Sequence, residues 1–392
     1  MVSLSLVPVT ILFEMVGIWS DAANTGRFPL GHDYAAFWAA AKLFAAGGAD
    51  RLYDFAAYAQ LQEQVAVRPG FLVWHYPPHY LFLLLPLAGL SFGIGYLAFT
   101  AVNLAALAAI GWRLSAFRGA LGWAALFGAP VMAAAIVQGQ NGAFFAACLV
   151  GGIAARESGR PWGSALLFAL ILAKPQYCLL LPIVLLARND WGMVLRTAVC
   201  CAGFTALATL VLGTAVWEHF FHNIRMLGYS LTEAELLAQM PTVWASLRLA
   251  GVPVDLAAIL HGGVALAAVW TVWHLWREPR VHPDLALAAL LFGTLMISPY
   301  GFRYDMVLTL GGTLLLIRHA RLVGLRPTEK LVLAAMWLVP ALYPALALAT
   351  SVQVGPLISI AGLTLCFLRS RERHAPARSN AQPPWQAEPV VS

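Results

Sequence analysis

The chain has 392 residues, 60% of them hydrophobic and only 11% charged, with a formal net charge of +6. A soluble domain of this size cannot hide so much apolar surface, so the bilayer is its solvent, and the positive balance calls for no nucleic-acid partner. The five cysteines (Cys148, Cys178, Cys200, Cys201 and Cys366) all lie in apolar runs, and their spacing implies neither a disulfide framework nor a zinc site.

In chain order, the first apolar run, residues 2–19, has no Lys or Arg before it and no small-residue cleavage site, and reads as a retained span carrying Glu14. Residues 20–78 are too polar to cross a membrane and form a long first loop. It opens with Gly31-His32-Asp33-Tyr34, where an acid stands just beyond a span. Helical periodicity follows over 34–46 and 54–64, divided by Gly47-Gly48, with aromatic residues (Tyr34, Phe37, Trp38, Phe44, Tyr53, Tyr58) suited to interfacial helices. The loop closes with Trp74-His75-Tyr76-Pro77-Pro78-His79. The next run, 80–90, is too short to span, since about 20 residues are needed for ~30 Å of hydrocarbon, and reads as a partial helix.

Further spans are predicted at 94–112, 121–137, 143–155, 195–212, 254–276, 285–297, 306–317, 331–349 and 354–368. Lys174-Pro175 interrupts the apolar stretch 162–187. Proline removes a helix hydrogen bond and lysine is costly at mid-membrane, so this stretch reads as a hairpin carrying Lys174 to its tip. The expectation is an all-α polytopic membrane protein over residues 1–369, followed by a disordered, Pro- and Arg-rich cytoplasmic tail, 370–392.

Charge sets the orientation. With the N-terminus cytoplasmic, the inner connections and the tail hold 16 of the 24 basic residues, so the positive-inside rule places both termini in the cytoplasm. The unusual polar residues then gather on the outer side: His32-Asp33, the 74–79 motif, Gln138-Gly139-Gln140-Asn141, residues 214–239, Ser246, Arg248 and residues 298–305. Lys174 approaches them from below. Asp33 is either a catalytic base or a solvated loop acid. Gln140 and Asn141 either bond between helices or contact substrate, and Arg303 either snorkels to headgroups or pairs with Asp305. Lys174, buried in an apolar hairpin, needs an anion to meet. His219 and His222 have metal-compatible spacing, but without supporting acids or cysteines they read as part of an interfacial amphipathic stretch.

Asp33-Tyr34, Tyr53-Asp54, Tyr76-Pro77-Pro78, Gly139-Gln140-Asn141, Lys174-Pro175 and Ser298-Pro299, in this order and at these spacings, resemble glycosyltransferase family 87. That family belongs to the GT-C type and is similar to polyprenol-phosphate-mannose-dependent mannosyltransferases. The resemblance runs from about residue 33 to residue 305. It implies a GT-C-like bundle of about 10–12 transmembrane helices, a polyprenyl-phosphate-linked sugar donor, an extracytoplasmic site and an inverting transfer. The resemblance also implies that the acid of the first outer loop, here Asp33, is the catalytic base. This chain departs from the family's Ser-Pro-x-Ser-Trp-x-His-His pattern by having Tyr304-Asp305 at the histidine positions. No role of those histidines transfers, and mannose is not fixed as the sugar.

Residues and resemblance together give a scheme in which Asp33 deprotonates an acceptor hydroxyl and Lys174 and Arg303, backed by Arg248 and His75, receive the donor phosphate. Tyr76, Gln140, Asn141, Tyr304 and Asp305 bind sugar or acceptor, with Asp305 also able to hold Arg303. The partners are the lipid-linked donor, a lipid or glycan acceptor and membrane lipids, in a bacterial inner membrane. No cofactor or metal is called for, although the type admits a divalent ion. The rivals are a transporter or flippase, which expects polar groups at the midplane and an internal repeat, and a non-catalytic envelope-assembly protein, which tolerates loss of Asp33, Lys174 and Arg303.

Overall fold

Proline opens many of the helices. Pro78, Pro130, Pro161, Pro283, Pro327 and Pro356 each stand in a first turn, where the missing N–H is one the helix does not use and the fixed φ is already helical. The computed structural model describes residues 30–65, 72, 74–114, 119–230 and 233–372. The first predicted span with Glu14, and most of the tail, lie outside the described residues.

The described chain is helical, with no strand among its described residues. Helix α1 (Tyr34–Leu52) and α2 (Phe55–Val65) form the first-loop pair, followed by α3 (Pro78–Leu84), α4 (Phe92–Leu114), α5 (Ala120–Phe127), α6 (Pro130–Gln138), α7 (Gly142–Glu157), α8 (Pro161–Leu170), α9 (Leu181–Ala187) and α10 (Trp191–Leu212). Then come α11 (Ala215–Ser230), α12 (Ala234–Ala238), α13 (Val243–Leu249), α14 (Val254–Arg277), α15 (Pro283–Ile297), α16 (Val307–Val323), α17 (Pro327–Thr350) and α18 (Gly355–Ser370). Among the described residues, four helices are long and apolar enough to cross a membrane: Phe92–Trp112, Trp191–Leu212, Val254–Arg277 and Arg303–Val323. Two bent pairs raise the number to six.

Several predicted spans take a different form. The run 121–137 is two helices, α5 and α6, because Gly128-Ala129-Pro130 cannot continue a helix. Helices α6 and α7 meet at 120°, so Gly139-Gln140-Asn141 forms the corner of a broken pair. The first-loop helix is kinked where Gly48 adopts φ 72°. From Tyr34 to Ala41 it is buried in protein, and Tyr34, Phe37 and Trp38 pack on Phe92, Phe99, Tyr76 and Tyr80 where an interfacial helix was expected to meet headgroups.

Helix α15 is the hub and packs on α14, α16 and α18. Its Phe292 ring fills the space left by two glycines. A Cβ on Gly312 of α16 would stand 2.6 Å from the ring, and one on Gly362 of α18 would stand 2.5 Å from it. Without a hydrophobic driving force between helices in lipid, such close fits carry the association. A second group forms around α8, which packs between α7 and α10, and α9 joins the groups by packing on α14.

The Lys174 segment is a hairpin. Arg156 at the end of α7 donates to Asp190 at the start of α10 (2.6 Å), and Arg196 lies over Trp162 at 5.9 Å. Both ends of the 161–187 stretch therefore sit at one end of the bundle, and Lys174 is carried to the other. Asp284–Arg318, Glu329–Arg369 and Arg326–Glu372 ion pairs anchor the remaining helices at connections whose basic residues carry the topology signal.

Candidate active site

Helix α6 stops at Gly139, which takes φ 74° and ψ 56°. That left-handed conformation suits glycine, and a Cβ here would also lie 2.6 Å from Tyr34 Cβ. The corner runs beside the start of the first loop. Gly31 N donates to Val137 O (2.8 Å) and Asp33 N to Gln138 O (2.9 Å). These bonds fix Asp33 opposite the corner, where Gln140 Nε2 donates to its Oδ2 at 2.7 Å.

Asp33 occupies the N-cap position of α1, yet its side chain makes no capping bond. The carboxylate is turned to Gln140 and left for other work. Burial pushes its pKa above the ordinary 3.8, while His32, the Gln140 hydrogen bond and the charge of Arg303 pull the other way.

The cation comes from the 298–305 turn. Ser298 Oγ accepts from Tyr300 N (3.1 Å), and Thr242 Oγ1 donates to Pro299 O (3.1 Å), which folds the Ser-Pro-Tyr sequence back. Arg303 N donates to Gln239 O (2.9 Å), the carbonyl that also accepts the Tyr343 hydroxyl at 2.9 Å. Arg303 is thereby held near Asp33, with Tyr300 and Tyr304 in the field of the same aspartate.

Lys174 enters from below. It is 1% exposed, forms an ion pair with Asp305 and donates to Asn141 Oδ1 at 2.9 Å. Tyr177 OH (3.0 Å) and Phe302 N (3.0 Å) complete the bonds to Asp305. The anion that meets Lys174 is thus Asp305, and Asp305 holds Lys174 where the sequence offered Arg303. The rings of Tyr177 and Tyr304 lie 5.0 and 5.1 Å from the ammonium. On the far side of Asn141, Nδ2 donates to the Tyr76 hydroxyl at 3.2 Å.

Asp33, Gln140, Asn141, Tyr76, Lys174, Arg303, Tyr304 and Asp305 are therefore brought into one linked cluster. Arg248 is not joined to it, since its Nη1 donates to Val252 O (2.7 Å) beyond its own helix. His75 is half-buried in the loop beside Tyr76. Tyr177, Gln239, Tyr300 and Tyr343 belong to the site and were not singled out from sequence. Tyr177 follows Lys174 by one turn and Tyr343 lies between Pro340 and Pro344, the two signals available. Among the described residues no group of three or more His, Cys, Asp or Glu is placed to hold a metal. His219 stacks on Tyr53 at 4.6 Å and lies 3.7 Å from Asp50, so it joins α11 to α1.

The sequence model of glycosyltransferase family 87 matches residues 74–299, more than half of the chain. The chain belongs to glycosyltransferase family 87. It is therefore a membrane glycosyltransferase. No curated protein and no solved structure matches. The family 87 stretch contains Tyr76, Gln140, Asn141 and Lys174, whereas Asp33, Arg303, Tyr304 and Asp305 lie outside it, the first, second and last tied to it by hydrogen bonds and Tyr304 by its ring beside Lys174.

Proposed function

We propose that this enzyme moves a hexose or pentose from a polyprenyl-phosphate donor to a lipid or glycan acceptor, with inversion, on the extracytoplasmic side of a bacterial inner membrane. The observation that carries the reading is the Asp33–Gln140 contact in the field of Arg303: a carboxylate free of capping duty, with Tyr300 and Tyr304 in its own field.

An acceptor hydroxyl approaches Asp33, which takes its proton as the oxygen bonds to the anomeric carbon. The bond from that carbon to the phosphate oxygen breaks, and the phosphate leaves with the electron pair. Arg303 stabilises the charge that develops there, and its fixed backbone means little reorganisation at the moment of reaction. Gln140 holds Asp33 in line, while Tyr76, Tyr300 and Tyr304 offer hydroxyls and aromatic faces to the sugar. Lys174 has its charge met by Asp305 and serves the framework. Displacement from the face opposite the phosphate accounts for inversion. The lipid enters between helices, and the basic end with Arg156, Arg188, Arg318 and Arg369 faces the cytoplasm.

The test is transfer by the purified protein in detergent from a panel of short-chain polyprenyl-phosphate sugars, with the anomeric configuration of the product read by NMR. The expected result is transfer from one donor class with inverted configuration. A retained configuration, or transfer only from nucleotide sugars, contradicts the proposal.

A further inference from the structure

The hydrogen-bond chain through Lys174 has a direction that its chemistry dictates. An ammonium only donates, so the Asn141 atom 2.9 Å from Lys174 Nζ is the carbonyl oxygen. The amide nitrogen must then face the other way, toward the Tyr76 hydroxyl at 3.2 Å, and that oxygen accepts. The Tyr76 proton is left over. Among the described residues it is donated to no protein group.

Two features keep the chain from reversing. Asp305, itself 1% exposed, also binds Lys174, and the Tyr177 hydroxyl and Phe302 N–H fix that carboxylate in turn. The Tyr76 phenol also stays protonated, because burial and the neighbouring Tyr80, Asp305 and Tyr300 push its pKa well above the ordinary value against the pull of the Asn141 bond. Tyr76 as a whole is half-buried, and the proton left over on its hydroxyl is the one a ligand oxygen would accept.

We infer that Lys174 and Asn141 are positioning residues that hold the Tyr76 phenol as a hydrogen-bond donor to an oxygen of the bound lipid-phosphate sugar. The inference rests on the donor class proposed above. The ligand atom is an oxygen of the phosphate or of the sugar ring and its hydroxyls. Through this chain the tip of the hairpin sets the polarity of a contact it never touches.

The experiment compares wild type with Y76F, N141D and the double variant. The probes are a short-chain polyprenyl phosphate and its sugar-loaded form, with affinity, turnover and thermal midpoint measured for each. Asp at 141 keeps the bond to Lys174 but has no N–H, so it turns the Tyr76 proton back onto itself. Both single variants are expected to bind about ten-fold more weakly, with midpoints held, and the double variant to be no weaker than either. Loss toward polyprenyl phosphate alone assigns the phosphate oxygen, and loss only toward the sugar-loaded form assigns the sugar. Wild-type affinity and turnover in N141D, or losses that multiply in the double variant, overturn the inference. If N141D does not fold, Y76F decides: undiminished affinity and turnover in that variant overturn it as well. Wild type that binds neither probe overturns the donor reading along with it, whereas transfer abolished by Asp33→Asn and untouched by Y76F sinks this inference alone.

Discussion

At the residue scale, the site depends on a corner that tolerates no side chain. Gly139 combines φ 74° with a close approach to Tyr34. Gly139→Ala is expected to cost about 1–2 kcal/mol in backbone strain, with the steric clash added, and to displace Gln140 from Asp33. The check is a lowered thermal midpoint together with transfer reduced more than the midpoint alone explains. Arg303→Gln keeps a polar group but removes the charge. It is expected to lower kcat by about 100-fold or more, since the cation acts on charge that develops in the transition state. The pH profile follows from the sign of the Asp33 shift. Burial raises its pKa above 3.8, and a base must be ionised to work, so kcat/KM rises with pH through that raised value and then levels off. An acid limb below the ordinary carboxylate value argues against Asp33 as base. Much of this scale was legible in the sequence: an acid just after a span, Gln140-Asn141 at the end of another and a lysine beside a proline all mark polar groups out of place in lipid. The pairing was not. Lys174 and Asp305 are separated by 131 residues, and both Arg303 and Lys174 offered a cation for one carboxylate. Only the packing of the hairpin against the 298–305 turn decides between them.

At the element scale, the hairpin and the buried ion pair form one device. Lys174→Met or Asp305→Asn alone leaves one partner buried without its opposite charge, and each is expected to cost about 3–5 kcal/mol. The double variant Lys174→Met with Asp305→Leu removes both charges and is expected to recover much of that stability without recovering transfer, because Asn141 and the 302–305 turn lose their anchors. Thermal midpoints in detergent alongside transfer rates check this, and full activity in the double variant speaks against a positioning role. The hairpin itself was readable from Lys174-Pro175, since proline and a buried cation forbid a smooth span. The split of 121–137 into α5 and α6 was less visible, because hydropathy averaged over a span length stays apolar across Gly128-Ala129-Pro130. Hydropathy windows record composition, whereas the break is a matter of backbone geometry. The burial of α1 was missed for a related reason. Its Ala-rich, aromatic sequence suits a membrane surface and a protein interior equally well, and the neighbours that choose between them come from α3 and α4.

At the scale of the whole molecule, the two ends differ in chemistry. One holds Asp33, Tyr76, the α6–α7 corner and the 298–305 turn. The other holds the Arg156–Asp190, Arg318–Asp284 and Arg369–Glu329 pairs. The positive-inside rule then predicts that the second end faces the cytoplasm. A cysteine placed at Asp54 should react with a membrane-impermeant thiol reagent in right-side-out vesicles, and one at Arg280 only in inverted vesicles. The reverse pattern places the site in the cytoplasm. The all-helical membrane class was the most legible feature of all, because hydropathy is a sum over many residues and survives errors at any one, whereas the individual spans were less so, since 121–137 splits and several runs form helices too short to cross alone.

The most direct measurement is single-turnover transfer by Asp33→Asn at saturating donor, with donor affinity measured on the same preparation. The substitution keeps the shape and the Gln140 neighbour but removes the basic oxygen. Donor binding is expected to stay close to wild type and the transfer rate to fall by roughly 10²–10⁴-fold. Transfer at the wild-type rate with binding intact contradicts Asp33 as base, because the acceptor proton then leaves by another route and Asp33 is a loop acid.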